Sequence, residues 1–195
     1  NMGKNELAIK KYNRIVRNGS KSSIAPISEY NMANLMYEAN DKDAKKHFKK
    51  IIKKYPTSDY AIASEYYLGM IEVSNQPKSP KRLTKSQEKA INYFKNYIEK
   101  APDGRFAIKS IEEIIKLDKS PSNYDNLLIA KGYYANGEFE KSKVFLNKTT
   151  LAESWSDFAK NEYKLGNKDK GNYYTELGLK QHAGNTAQDD DNRRG

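Results

Sequence analysis

The chain has two histidines, His47 and His182, and neither is set up for acid–base work. His47 stands beside Phe48 on a lysine-rich stretch, and the sequence places no nucleophile or carboxylate at its side. It reads as a boundary residue rather than a general base. His182 falls near the end of the last helical stripe, where the helix C-terminus favours a cation. With Asp189, Asp190 and Asp191 it would make at most a weak metal site, because a flexible tail fixes no coordination geometry. Glu112 and Glu113 are adjacent, so on a helix they point about 100° apart and read as solvated. Gly3-Lys4 lacks the earlier glycine of a phosphate loop. No serine elbow and no zinc-spaced histidine pair is present. The absence of cysteine excludes disulfides, a thiol nucleophile and a thiolate metal site. The expectation is therefore a chain without catalytic residues, metal or cofactor.

What remains is the chemistry of surfaces. Tyr66-Tyr67, Tyr133-Tyr134 and Tyr173-Tyr174 are adjacent pairs. On a helix one ring of each pair packs while the other faces a groove, which makes the second ring a candidate for binding. Trp155 could stack on a sugar or a base. Lys45, Lys46, Lys49, Lys50 and Lys53 lie in a basic run at residues 42–54. Such a face could attract nucleic acid, anionic lipid or an acidic polymer, although its ordinary reading is a solvated surface. Residues 1–54 hold 13 Lys/Arg against 5 Asp/Glu, a balance of +8 within the total of +10. The basic excess is thus an N-terminal property. Lysine far outnumbers arginine and no nucleic-acid fold signature occurs, so nucleic acid is a disfavoured partner.

The elements that would carry these residues are helices. Ala44, Phe48, Ile51, Ile52 and Tyr55 follow one another at i, i+4, i+7, i+8 and i+11, one face of a helix, and Pro56 ends it. Ala90, Phe94, Tyr97 and Ile98 repeat the design before Pro102, with Thr84 and Gln87 at capping-box spacing. Asn136-Gly137 and Gly166-Asn167 are turn signals. The spacing predicts ten helices, at 4–18, 26–39, 41–54, 58–74, 84–100, 104–117, 122–135, 138–148, 152–165 and 168–182. Residues 74–83, with Pro77 and Pro80, read as a long loop. The helices form one domain at 1–184, and 185–195 reads as a disordered tail or linker. No apolar run reaches the length of a membrane span. The chain opens on Asn1 rather than Met, which reads as processing or truncation.

The spacing of the stripes is that of a 34-residue helix pair. Residues 152–185 offer Trp155 as the opening aromatic, Phe158-Ala159, the turn Leu165-Gly166-Asn167, and Gly171 where the helices cross. Residues 62–102 offer Leu68-Gly69, Ala90, Phe94 and Pro102, with about nine inserted residues between the two helices. Residues 27–56 offer Ala33, Tyr37, Ala44, Phe48, Ile51 and Pro56. These units resemble the tetratricopeptide repeat, which implies an all-α superhelix of stacked antiparallel helices. Lys54-Tyr55-Pro56-Thr57-Ser58 and the run from Ala90 to Ala107 resemble repeats of bacterial envelope proteins. Two groups fit: the superhelical region of soluble lytic transglycosylases, and tetratricopeptide lipoproteins of the outer membrane. The Glu-Ser pair and Gly-Leu-Met-Gln stretch of the transglycosylase catalytic domain are absent.

The resemblance implies a non-catalytic scaffold that binds a protein or peptide, with peptidoglycan as a further candidate partner. Its setting would be periplasmic or extracytoplasmic, with the cytoplasm as the alternative. The repeat register puts Asn31, Glu38, Tyr66, Met70, Lys160 and Tyr163 on the concave face, and puts Trp155 at a packing position between helix pairs. The rival expectation is that the chain is the helical region of a lytic transglycosylase whose catalytic domain lies outside it.

Overall fold

A computed structural model describes residues 2–19, 22–74 and 83–194, without the side chains of Met2, Ala152 and residues 182–194. Among the described residues ten α-helices follow one another: α1 (Met2–Asn18), α2 (Ala25–Glu38), α3 (Ala44–Lys54), α4 (Asp59–Ser74), α5 (Lys85–Lys100), α6 (Ala107–Leu117), α7 (Asn123–Ala135), α8 (Phe139–Leu146), α9 (Trp155–Lys164) and α10 (Lys168–Arg194). No strand occurs among the described residues, and no helix is long and apolar enough to cross a membrane. Each helix packs chiefly on its neighbours in sequence, the tightest pairings being α4 with α5, α9 with α10 and α7 with α8. This is an α-α superhelical, tetratricopeptide-like fold.

Local chemistry accounts for the helix ends. The Thr84 side chain accepts from the Gln87 backbone N–H, and the Gln87 side chain accepts in return from the Thr84 N–H, a complete capping box. Ser122 caps α7 by accepting from Asp125 N–H. Gly137 and Gly166 close their turns at φ 76° and 80°, a region that glycine enters without steric penalty. The spacing predicts a helix from residue 104, but the chain makes one more turn before α6 starts at Ala107. The backbone of α10 is helical through Arg194. Most of the expected loop between α4 and α5, residues 75–82, lies outside the described residues.

The core is built in two joined parts. Tyr30, Ala33, Phe48, Ile51 and Leu68 fill the N-terminal part, and Phe94, Ile98, Ile111 and Ile129 centre the other. Tyr67 and Phe106 pack against both. Phe48, Phe94 and Ile111 are fully buried, and each such side chain contributes about 1.5–3 kcal/mol over its exposed state. Close approach of α4 to α5 depends on Gly69, where a Cβ would stand 2.5 Å from the Phe94 ring.

Acidic residues of α2, α4, α7 and α9 are neutralised by lysines of adjoining helices. Glu29 meets Lys50 at 2.7 Å, Glu72 meets Lys45 at 2.6 Å, Glu65 meets Lys100 at 3.0 Å and Glu162 meets Lys143 at 2.8 Å. Asp125 pairs with Lys95. The side chains of these four glutamates are at most 5% exposed. A carboxylate buried this far is tolerated only when paired.

Candidate functional site

The last two helices leave an open, aromatic-walled cleft of ≈ 430 Å³ between them. Gly171 lets α10 approach α9 so closely that the Tyr163 ring fills the space a Cβ would need, 2.5 Å away. Tyr163 O–H donates to Asn172 Oδ1 at 2.7 Å, which fixes the ring at the mouth. Trp155 stacks on Tyr174 in the lining with centroids 5.9 Å apart at 13°, and the core residue Phe158 stacks on the same tyrosine at 4.9 Å. Trp155, Ala159, Lys160, Tyr163, Tyr174 and Leu179 form most of the lining. Leu179 is 66% exposed and Tyr163 44%. Lys160 forms no ion pair among the described residues, and it shares the lining with the apolar wall and with one carboxylate, Glu153. The arrangement suits the capture of an apolar side chain flanked by an acidic group. Among the described residues no nucleophile–base hydrogen bond lies in it.

The residues expected on one binding face are distributed differently. Lys160 and Tyr163 come together in the cleft. Asn31 and Glu38 lie on α2 and Met70 on α4, and the cleft draws on none of them. Tyr66, expected on the groove, is a core residue: it is 9% exposed and stacks on Phe106 at 4.2 Å and 5°. Burial raises the pKa of its hydroxyl. The register misplaces it because α4 is covered by α3 on one side and α5 on the other. The partner tyrosine of that pair, Tyr67, stacks on Phe48 at 5.0 Å and, half-buried, packs on the core as well. In the last pair Tyr173 is 58% exposed while Tyr174 packs. Trp155 is half-buried: it packs against the core and also lines the cleft.

The lysine face on α3 is not uniform. Lys46, Lys49 and Lys53 are exposed, whereas Lys45 and Lys50 compensate the buried Glu72 and Glu29. His47, which the sequence left without a partner, places Nδ1 3.1 Å from Glu29 Oε1. Burial pushes the Glu29 carboxyl up. The hydrogen bonds and charges of His47 and Lys50 outweigh that and hold it below its ordinary value. Glu72, with Lys45 beside it, and Glu162, with Lys143 and Asn167, are held low by the same balance. Among the described residues no group of three His, Asp or Glu is placed to hold a metal.

Residues 28–58, which span α2 and α3, match the family model of the tetratricopeptide repeat. No curated protein matches the chain significantly. The repeat match and the all-helical architecture together make this a tetratricopeptide-like helical region. Such repeats commonly mediate protein–protein interaction and are generally non-catalytic.

Proposed function

We infer that this helical-repeat chain is a non-catalytic scaffold that holds a protein partner, with the cleft between α9 and α10 as an anchoring point. The observation that carries the reading is the cleft itself. Trp155, Tyr163, Tyr174 and Leu179 present an apolar wall to solvent, and an exposed apolar patch of this kind marks an interaction site. The ligand is a peptide segment with a large apolar side chain for the cleft and an acidic residue for Lys160. Trp155 is the single tryptophan, so its emission reports occupancy of the cleft. Peptides selected from a displayed random library should shift that emission, and Leu179→Asp should abolish their binding. Selected peptides that bind Leu179→Asp as well as the parent would overturn the assignment.

A glycan is the second reading. Trp155 and Tyr163 offer aromatic faces, while Ser156, Thr175 and Gln181 bring polar groups to the same cleft. Titration of Trp155 emission with peptidoglycan fragments separates the two ligands. The resemblance of residues 54–58 and 90–107 to envelope repeats supports a bacterial extracytoplasmic setting. A lysozyme-like domain encoded beyond Gly195 would make the chain the helical region of a lytic transglycosylase.

A further inference from the structure

The chain is rich in lysine, yet between Arg17 and Arg193 it carries only two arginines, Arg82 and Arg105. Arg105 sits in the turn between α5 and α6, and two contacts immobilise it. Its guanidinium lies over the Phe106 ring, 4.5 Å from the centroid. Its Nη2 donates at 2.7 Å to the hydroxyl of Tyr30, which lies 75 residues earlier on α2 and is 4% exposed. The Phe106 ring is itself stacked on Tyr66, so the guanidinium rests on the rigid core. Arg105 is exposed and forms no ion pair among the described residues. Side-chain entropy has thus been spent on orienting a cation that no carboxylate of the described chain neutralises.

The cation lines a cleft of ≈ 450 Å³ between the first turns of α4 and the C-terminal end of α5. Ile62, Ala63, Ala101 and the rings of Tyr60 and Tyr97 supply its apolar surface. Tyr97 adds a second donor. It is 3% exposed, and its hydroxyl oxygen accepts from the Phe106 backbone N–H at 3.1 Å. The hydroxyl proton finds no acceptor among the described residues, and burial raises its pKa. A buried O–H without an acceptor is costly unless a ligand supplies one. The cleft therefore presents a planar guanidinium fork and a phenol O–H, two donor groups that call for an acceptor. Two carboxylates oppose them, the exposed Asp59 at the rim and Asp103, whose charge acts on the Tyr97 hydroxyl, and they penalise a dianion such as phosphate more than a single negative charge.

We propose that this cleft is a binding site for a monocarboxylate carried on an apolar body, with Arg105 and the Tyr97 hydroxyl holding the carboxylate. The guanidinium meets a carboxylate plane to plane through two hydrogen bonds, while the aliphatic and aromatic walls bury the apolar body. Two sources supply this chemistry: a small aliphatic or aromatic acid, and the free C-terminus of a polypeptide ending in an apolar residue. The site is separate from the cleft between α9 and α10 and does not depend on it.

The test uses the whole chain and proton–nitrogen correlation spectra. The probes are 3-phenylpropionate, its amide, and one short peptide ending in Phe-Leu with either a free or an amidated terminus. The acid forms should shift the amide signals of Gly104 and Phe106, and the amides should bind at least about tenfold more weakly. Tighter binding of the peptide acid than of phenylpropionate identifies a chain terminus as the source, and the reverse order identifies a small acid. Arg105→Gln should remove the preference for the acid. Ala101→Leu fills the cleft and leaves Arg105 in place, so it should abolish binding whether or not Arg105→Gln folds. Equal binding of acid and amide, binding retained in Ala101→Leu, or no shift with any probe would each overturn the proposal.

Discussion

Lys50→Met removes one of the two partners of a carboxylate that has no exposed surface. Glu29 Oε1 accepts from Lys50 and His47, while Oε2 is buried with no hydrogen-bond partner. Losing one member of a buried pair costs about 3–5 kcal/mol when the other charge stays uncompensated. Two features of this site lower that figure. Lys50 is 47% exposed, so part of its attraction is already screened. Glu29 can also escape by taking up a proton. From an ordinary pKa of 4.5, protonation at pH 7 costs about 2.5 × 1.36, or about 3.4 kcal/mol, and at pH 5 only about 0.7 kcal/mol. The expected loss is therefore about 2–3 kcal/mol at pH 7 and under about 1 kcal/mol at pH 5. The sign agrees with the parent. A carboxyl held below its unfolded value stabilises the fold above that value and stops doing so as pH falls through the folded value. Urea denaturation followed by circular dichroism at both pH values measures the difference. A loss that is the same at pH 5 and pH 7, or below about 0.5 kcal/mol at pH 7, would refute the reasoning.

Trp155→Ala should cost about 1.5–3 kcal/mol in thermal melts, below the roughly 3–5 kcal/mol of a fully buried aromatic, because the side chain is half-buried; a change within about 0.5 kcal/mol would mean that its stacking on Tyr174 contributes nothing. Gly69→Ala should destabilise by about 1–3 kcal/mol through the Phe94 ring, whereas Gly3→Ala, with nothing within 4 Å, should stabilise α1 by up to about 1 kcal/mol; equal effects in denaturant titrations would disprove the contact argument. Reversal of Lys46, Lys49 and Lys53 to Glu should lower the salt at which the chain leaves heparin without changing its melting temperature, and unchanged retention would show that this face is only solvated.

The helix pattern was legible because most helices have one covered face. On α3, Ala44, Phe48 and Ile51 are buried and the intervening lysines are not, which is the alternation that periodicity detects. α4 escaped it. The helix is packed on two sides, so Ala61, Ala63, Tyr66, Leu68 and Gly69 are buried together with Ser64, Glu65 and Glu72. A helix covered twice has no stripe, so Tyr66 goes inside and Tyr67, half-buried, packs on the core as well. Buried acids were illegible for a related reason. Nothing local to Glu29 announces a partner 18 residues away or Glu65 one 35 residues away. The cleft was half-legible. Lys160 and Tyr163 came from the register of the first helix of the pair, while Thr175, Gly178 and Leu179 on α10 needed the packed structure. Arg105 could have been noticed as an exception in a lysine-rich chain, but its stacking on Phe106 and its bond to Tyr30 could not.

The charge pairs between neighbouring helices also bear on how such a chain assembles. Helix pairs that share one shape are interchangeable as shapes, and arrays built from them are prone to docking on the wrong neighbour or on another molecule. Here four of the seams each carry a key of their own. Lys50 fits Glu29, Lys45 fits Glu72, Lys100 fits Glu65 and Lys143 fits Glu162. A pair that slipped by one unit would bring similar apolar residues together and lose little there. It would also bury a glutamate against the wrong stretch of helix, with its lysine stranded elsewhere. That mismatch makes mistaken docking reversible, so the chain can search among neighbours that look alike and settle only where the charges close.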